Sequence, residues 1–309
     1  MNTKSIKTVI IILLAAANIF FIFNIIILDM RVRNIPADMI ENAVAVLRER
    51  GIYADVQKIP SRRPVYYVYE GIYSEESYSE IVRSFSGASD EEIRNRLHTS
   101  RSGDGIAFNV GEYKFTFEDY MQIEIVKSDY WDGNTPEYKE ILAGYTDFSS
   151  GDANRVHRII RDFLRRHAEQ DARTGFRITG LKQDGARDKA LIHQTINQAG
   201  DELLIYPHTA FLVISGGEVK YFSGRWYFGI FVDRHPLPLL DSVNILFRSL
   251  EQDGSVLEGT RLEIMERQYN IKSLEGNRFY LYPSWALSFD DGQYIRRFSY
   301  DMIRGNKNN

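Results

Sequence analysis

The residues with the widest chemical repertoire in this 309-residue chain are its six histidines, which could act as general bases or bind a metal ion. His157 and His167 fall on one predicted helix, ten residues apart, so they lie about 15 Å apart along its axis. That distance is too long for two ligands of one metal ion. We interpret all six as surface or hydrogen-bonded core residues, the others being His98, His193, His208 and His235.

A short acidic run, Asp290-Asp291-Gly292-Gln293, could supply carboxylate ligands, but a turn between two strands needs the same residue types, and we favour the turn. The sequence has none of the common phosphate-, dinucleotide-, zinc- or calcium-binding motifs, and no serine-nucleophile motif. The absence of cysteine excludes disulfides and thiolate chemistry. We therefore predict no catalytic residue, no metal site, no cofactor and no enzymatic activity. Carboxylates from distant segments could still converge in the folded protein.

Basic residues on the predicted helix that begins near Ser149 form the clearest candidate for a binding surface. Arg158, Arg161 and Arg165 share one face of that helix. Such a face can be merely solvated, or it can dock an acidic partner. Trp131, in a predicted loop, is the tryptophan that we expect to be exposed, and it is a further candidate contact. The formal net charge of −4 provides no electrostatic footprint for nucleic acid.

The uncharged run Val9–Leu28 predicts a transmembrane helix about 30 Å long. Lys4 and Lys7 precede it and favour a cytoplasmic N-terminus, with the rest of the chain extracytoplasmic. A cleaved signal peptide is the alternative, but its apolar region is normally shorter and small residues follow it. Asn18 and Asn24 could hydrogen-bond to a partner helix in the membrane. We predict a single-pass protein of the cell membrane with a retained anchor.

Helical and strand patterns alternate along the rest of the chain. Apolar residues recur at helical spacing over Pro36–Arg50, Ser149–His167 and Pro238–Leu250. A further helical stretch, Glu75–Leu97, is predicted to break near Ser86-Gly87. Alternation and turn signals predict the strands Val65–Tyr69, Gly105–Val110, Tyr113–Phe117, Met121–Val126, Phe176–Leu181, Leu191–Gln198, His208–Ile214, Glu218–Phe228, Leu262–Tyr269, Arg278–Tyr282, Ala286–Phe289 and Tyr294–Tyr300.

These elements predict an α+β fold in which helices pack on antiparallel β-meanders. Hydrophobic residues make up 44% of the chain and aromatic residues 13%, which is enough to build packed cores and excludes wholesale disorder. We predict a leader and anchor over residues 1–30, a first α+β domain over 31–147 and a second over 148–309. The last residues, Lys307-Asn308-Asn309, are predicted to fray.

Four stretches carry a family resemblance. They are Lys4 to Phe20, with its two lysines before an apolar run; the helical segment Pro36–Gly51; the strand pair Ala210–Phe228; and a closing stretch of Ile264–Tyr269 followed by Tyr282-Pro283-Ser284-Trp285 and the residues up to Tyr294. Together they resemble the YycI-type proteins of Gram-positive bacteria, with the neighbouring YycH group as the alternative. The last stretch is also similar to the closing unit of PepSY-like domains.

The resemblance implies regulation. YycI and YycH proteins are single-pass membrane proteins that associate with WalK (YycG), a sensor histidine kinase whose output controls cell-wall metabolism. The resemblance therefore implies an accessory regulator of a two-component system, with a WalK-like kinase and a YycH-like paralogue as candidate partners. It implies no active-site residue in this chain. Two alternatives stay open: a PepSY-like inhibitor or envelope enzyme that acts on a cell-wall hydrolase or protease, and a scaffold of an envelope complex.

Overall fold

The computed structural model describes most of the chain after residue 33 and one short stretch before it. The described residues are 18–22, 34–63, 66–72, 75–99, 101–102, 105–118, 122–130, 150–167, 173–184, 186–198, 200–229, 231–236, 239–275, 278–305 and 307.

The predicted N-terminal anchor needs correction. Of Val9–Leu28 only residues 18–22 are described; they are helical, with exposed side chains, and residues 9–17 and 23–28 lie outside the described part. None of the described helices combines the length and the apolar character that crossing a membrane requires. The longest of them, Ser150–His167, carries an arginine on almost every turn, and charged side chains are costly inside a bilayer. This finding contradicts the predicted single-pass helix, and with it the predicted cell-membrane location and cytoplasmic N-terminus.

Five α-helices follow in the described part of the chain. They are α1 (Ala37–Glu49), α2 (Glu75–Ser86), α3 (Asp90–Thr99), α4 (Ser150–His167) and α5 (Ser242–Leu257). The predicted break at Ser86-Gly87 is confirmed, because it separates α2 from α3. Helix α5 begins later than predicted because the Asp241 carboxylate accepts a hydrogen bond from the backbone N–H of Asn244 at 3.0 Å and caps the helix there.

Thirteen strands are present among the described residues. They are β1 (Tyr67–Ile72), β2 (Arg101–Ser102), β3 (Gly105–Val110), β4 (Tyr113–Phe117), β5 (Gln122–Lys127), β6 (Thr174–Asp184), β7 (Arg187–Gln198), β8 (Asp201–Ser215), β9 (Glu218–Arg225), β10 (Val232–Pro236), β11 (Arg261–Glu275), β12 (Arg278–Asp290) and β13 (Ile295–Asp301). Strands β3 and β4 have the predicted bounds, whereas β12 is a single strand where two were predicted.

The chain divides into two compact units. The first unit consists of Met1–Val65, Leu237–Glu266 and Trp285–Asn309. In it, α1 packs against α5, and the apolar face of α1, which includes Ile40 and Leu47, is buried. Strand β13 pairs with β12 in this unit.

The second unit consists of Tyr66–Pro236 and Arg267–Ser284. Its strands follow the order β10-β1-β12-β11-β8-β9-β5-β4-β3-β2, with β7 beside β8 and β6 beside β7. Helices α2, α3 and α4 cover one face of this sheet and share one apolar core with it. Aromatic rings join the layers: Phe163 of α4 lies 5.3 Å from Phe85 of α2 and 5.9 Å from Phe222 of β9, between ring centroids.

The predicted fold class, α+β with antiparallel meanders, is wrong. The described chain is mostly β-structure, in a large mixed sheet where β8 and β11 run parallel, with Leu204 opposite Gln268 and Tyr206 opposite Asn270. Strand β1 pairs with β10 and β12, which are far from it in the sequence. Such pairings depend on contacts between distant segments, and a local apolar pattern does not encode them. The predicted boundary at 147/148 lies outside the described residues and stays a prediction.

Candidate docking surface

Helix α4 separates apolar from basic residues sharply. Val156, Ile160 and Leu164 recur at spacings of four residues and are fully buried in the core of the second unit. The opposite face carries Arg158 and Arg161, both exposed to solvent. The 3.6-residue period of the helix therefore dictates which arginines point outward.

The outward face is a stripe of guanidinium groups, which we define as Arg158, Arg161 and Arg165. Seven residues separate its ends, or about 10.5 Å along the helix axis. All three side chains are exposed. They are the residues predicted as a docking surface, and the structure places them together on one face of α4.

The stripe carries little charge compensation. Arg155, beside it, donates to the Asp188 carboxylate at 2.7 Å, so that guanidinium is neutralised. Arg161 reaches Asp162 only at 3.8 Å, a long distance for an exposed pair. Arg158 and Arg165 form no ion pair with any residue in the described part of the chain. The stripe is therefore a positive surface on a chain whose formal net charge is −4.

The remaining predicted contacts are not brought to this surface. Trp131 and Asn24 lie outside the described residues. Asn18 is described, in the short helical stretch 18–22, and is exposed.

The predicted acidic turn is confirmed. The Asp291 carboxylate accepts hydrogen bonds from the backbone N–H groups of Gln293 and Tyr294, and Asp290 accepts one from Gly292. Over the residues that the structure describes, no group of three or more histidine, aspartate or glutamate side chains could hold a metal ion. The two carboxylates therefore shape the hairpin.

A buried polar cluster that the sequence did not reveal lies in the second unit. Gln194 occupies an irregularity in the pairing of β7 with β8, where the register shifts. Its Nε2 donates to the Tyr227 carbonyl at 2.7 Å, and its Oε1 accepts from the Tyr227 N–H at 3.1 Å. The same Oε1 lies 2.7 Å from Nδ1 of His208, which must then donate. Gln194 thus joins β7, β8 and the segment after β9.

His208 is held neutral in this cluster. Complete burial, and then the positive charge of Arg225, lower the pKa of His208 from its ordinary value of 6.5 to about 3. Its ring has no access to solvent, so it cannot exchange protons with a substrate. We assign the cluster a structural role. The only sequence signal for it was a histidine inside an apolar strand, which is consistent with the predicted hydrogen-bonded core histidine.

A second buried cluster also serves the fold of this unit. The Tyr66 hydroxyl donates to the Asp201 carboxylate at 2.7 Å, and Arg267 lies 3.2 Å from the same oxygen. The Tyr269 hydroxyl donates to the Gln198 side chain at 2.5 Å. The rings of Tyr66 and Tyr269 meet edge to face. These contacts link β7, β8 and β11 with Tyr66, the residue that precedes β1.

Comparison with known proteins yields only distant structural similarity. No protein-family model matches the chain, and no curated protein matches it. An uncharacterized protein from Eubacterium rectale aligns over 84% of this chain and 90% of its own, with 8% identity and a TM-score of 0.43. The C-terminal domain of YpeB from Bacillus megaterium aligns over 77% of this chain and 97% of its own, with 15% identity and a TM-score of 0.30. TM-scores this low assign neither a fold nor a function to the chain.

Proposed function

We propose that this chain is a regulatory binding protein without enzymatic activity, and that its partner is a sensor histidine kinase of the WalK type. The observation that carries the proposal is the exposed arginine stripe of α4, formed by Arg158, Arg161 and Arg165, in which only Arg161 has a carboxylate near it, Asp162 at 3.8 Å. The assignment to the YycI-like group, with a YycH-like paralogue as a second partner, comes from the sequence resemblance described above.

The chemistry of the stripe favours a carboxylate-bearing protein surface. A guanidinium group is planar and donates two parallel hydrogen bonds to one carboxylate, which gives geometric as well as electrostatic selectivity. Exposed charges of one sign also accelerate the encounter with a partner of opposite sign. The partner surface should therefore carry acidic residues over about 10 Å, the length of the stripe.

The stripe can act in binding without a role in folding. Its three side chains are exposed, whereas the stability of α4 comes from Val156, Ile160 and Leu164 on the opposite face. Exposed charged residues usually contribute little to stability. Charge reversal on the stripe should therefore leave the fold intact and report on binding alone.

The test is the affinity of the purified full chain for the purified WalK-type kinase of the same organism, measured at low and high salt. The triple variant R158E/R161E/R165E should weaken binding on the order of 10- to 100-fold at low salt. The wild-type affinity should fall as the salt concentration rises, because salt screens exposed charges.

A matched control separates the stripe from net charge. The variant R94E/R261E/R304E changes the charge by the same amount at three exposed arginines outside α4, and it should bind like the wild type. Equal weakening in both variants would mean that only net charge matters. A wild-type chain that does not bind the kinase would refute the proposed function.

A further inference from the structure

His157 is an exposed residue of α4 that lies in one row with two arginines of the stripe. His157, Arg161 and Arg165 follow one another at spacings of four residues, and all three are exposed. Residues four apart are neighbours on one side of a helix. The row from His157 to Arg165 is about 12 Å long, so a partner that covers the stripe also meets the imidazole of His157.

The imidazole of His157 is oriented by the neighbouring strand β6. Its ring stacks on the ring of Phe176 at 4.6 Å between centroids, with 26° between the ring planes. The two ring nitrogens form no hydrogen bond with any residue in the described part of the chain. They are therefore available to a group on a partner, and a ring that is already oriented loses less conformational entropy when the partner binds.

The charged neighbours of His157 on its own helix are mainly positive. Arg158 is adjacent to it in the sequence, and Arg161 is about one turn away. Asp162 lies beside Arg161 and about 140° around the helix from His157. Helix α2 packs on the other flank of α4, against Phe163, which is about 120° from His157. The neighbours of the imidazole in the helical row therefore carry positive charge.

The part of the sheet that His157 contacts is uncharged. The residues two before and two after Phe176 share its side of β6 and are a threonine and an isoleucine, whereas Arg177 points to the other side. Asp188 of β7 faces α4, but its carboxylate accepts from Arg155 at 2.7 Å. His157 forms no ion pair with any side chain that the structure describes. A carboxylate that pairs with a protonated His157 is therefore one that a partner supplies.

We propose that His157 is a fourth docking residue of the stripe, which binds a carboxylate of the partner when its ring is protonated. The proposal rests on the proposed function in one respect, because it takes the stripe to be a surface for carboxylates, whichever protein carries them. Histidine is the side chain whose charge changes most readily between about pH 5 and pH 8. Both ring nitrogens of the protonated form donate hydrogen bonds, as the guanidinium groups of the stripe do.

The direction of the pH effect follows from the sign of these charges. A carboxylate that docks on the stripe favours the protonated ring of His157 over the neutral ring. Docking therefore takes up a proton, and by linkage it is stronger in acidic than in alkaline solution. The three arginines keep their charge throughout, so His157 is the member of the row that makes docking depend on pH.

The first experiment measures the binding of a fluorescent peptide of about ten aspartates to the purified full chain, by anisotropy at low salt. The peptide stays ionised above about pH 5, so only the protein changes its charge. The wild-type affinity should rise about 3- to 10-fold from about pH 8 to about pH 5.5. The variant H157Q does not titrate and should show no such rise. The variant H157K is positive at both pH values and should bind at the higher pH as tightly as the wild type does at the lower.

The matched control is H193Q, which changes another histidine of the second unit. His193 lies on β7, half-buried, and contacts the Thr209 hydroxyl. It is opposite Arg177 of β6, on the side of the sheet that faces away from α4. H193Q should therefore keep the pH dependence of the wild type, and loss of that dependence in H193Q as well as in H157Q would overturn the proposal.

Each other outcome also gives a decision. An equal rise in affinity for the wild type and H157Q overturns the proposal, because other groups then cause the rise. A wild type that does not bind the peptide, or binds it equally at both pH values, overturns it too. The kinase test decides the proposed function separately: a chain that passes the peptide test but does not bind the kinase keeps His157 as a docking residue and loses the kinase as its partner.

The second experiment measures the proton uptake directly. Peptide binding is followed by calorimetry at about pH 6.5 in two buffers that differ in their enthalpy of ionisation. The wild type should take up a fraction of one proton for each peptide bound, and H157Q should take up less. A His157 that served only to pack against Phe176 would leave the uptake equal in the two proteins, and that result would overturn the proposal.

Discussion

Gln194 is the residue on which the buried polar cluster of the second unit depends. Its amide satisfies the N–H and the carbonyl of Tyr227 and accepts from His208, all within the core. Buried polar groups without partners destabilise a protein by about 1–3 kcal/mol each. One glutamine side chain therefore forms three buried hydrogen bonds at an irregular point of the sheet.

We predict that Q194A lowers the free energy of unfolding by about 2–4 kcal/mol, because it removes three buried hydrogen bonds to Tyr227 and His208. The measurement is urea denaturation followed by fluorescence. The control Q293A removes an exposed glutamine side chain at the hairpin tip and should change stability by less than about 0.5 kcal/mol. A change in Q194A as small as that of the control would contradict the structural role.

His208 makes stability depend on pH. Its pKa is about 3 in the folded protein and 6.5 in the unfolded chain, so below pH 6.5 the unfolded chain takes up a proton that the folded protein does not. The contribution of His208 to the free energy of unfolding is therefore fully present above pH 6.5 and is lost progressively towards pH 3. Between pH 7 and pH 5 this loss amounts to about 2 kcal/mol.

The variant H208Q tests this linkage, because glutamine can still donate to Gln194 but does not titrate. From pH 7 to pH 5, the free energy of unfolding of the wild type should fall by about 2 kcal/mol relative to that of H208Q. The measurement is urea denaturation of both proteins at each pH. A difference that stays constant with pH would show that His208 does not titrate differently in the two states.

Among the elements, α4 combines the two properties that a docking helix needs. Its apolar face packs in the core, and the arginines of its basic face are exposed to solvent. Helical spacing in the sequence was sufficient to predict both faces, since side chains three and four residues apart share one side of a helix. The sequence of the exposed face does not identify a partner, because the same arginines are also typical of a surface that contacts only solvent.

We predict opposite effects for changes on the two faces of α4. The variant I160A removes a fully buried side chain and should lower the free energy of unfolding by about 2–5 kcal/mol. R158A and R165A should each change it by less than about 0.5 kcal/mol. Chemical denaturation of the three variants is the measurement. A large loss of stability in the arginine variants would mean that the stripe supports the fold.

Strand β12 shows where element prediction failed. The sequence suggested two short strands, Arg278–Tyr282 and Ala286–Phe289. The structure has one strand, Arg278–Asp290, which continues through Pro283. Side chains on both of its faces are buried over much of its length, so tertiary packing outweighs the local signal.

At the scale of the whole molecule, the first unit is assembled from three separate stretches of chain. Of the tail that was predicted to fray, Lys307 is held by contacts, whereas Asn308 and Asn309 lie outside the described residues. Lys307 donates to the Asp253 carboxylate of α5 at 2.7 Å, and the Tyr300 hydroxyl donates to the other oxygen at 2.6 Å. Burial, and then the hydrogen bond to Asp253 and the charge of that carboxylate, raise the pKa of Tyr300. Gly305, in the left-handed region, lies so close to Arg248 that a side chain would not fit without a shift.

We predict that a chain shortened to end at Asp301 loses about 5–10 °C of melting temperature, measured by differential scanning calorimetry. The truncation removes the buried Met302 and the contacts of Lys307 with α5, which together contribute about 2–4 kcal/mol. A chain that ends at Lys307 is the control and should melt like the full chain. Equal melting of the two shortened chains would show that the segment 302–307 does not support the first unit.

The sequence by itself determined the local features: the helices α1, α2, α3 and α4, the hairpin β3–β4, the turn at Asp290-Asp291-Gly292 and the outward face of α4. Each of these follows from residue periodicity or turn chemistry within about 20 residues. Only the tertiary structure decided the mixed sheet, the parallel pairing of β8 with β11, the Gln194 cluster and the assembly of each unit from separate segments. The physical reason is that any apolar strand can pair with many others, and the favoured partner depends on the packing of the whole chain.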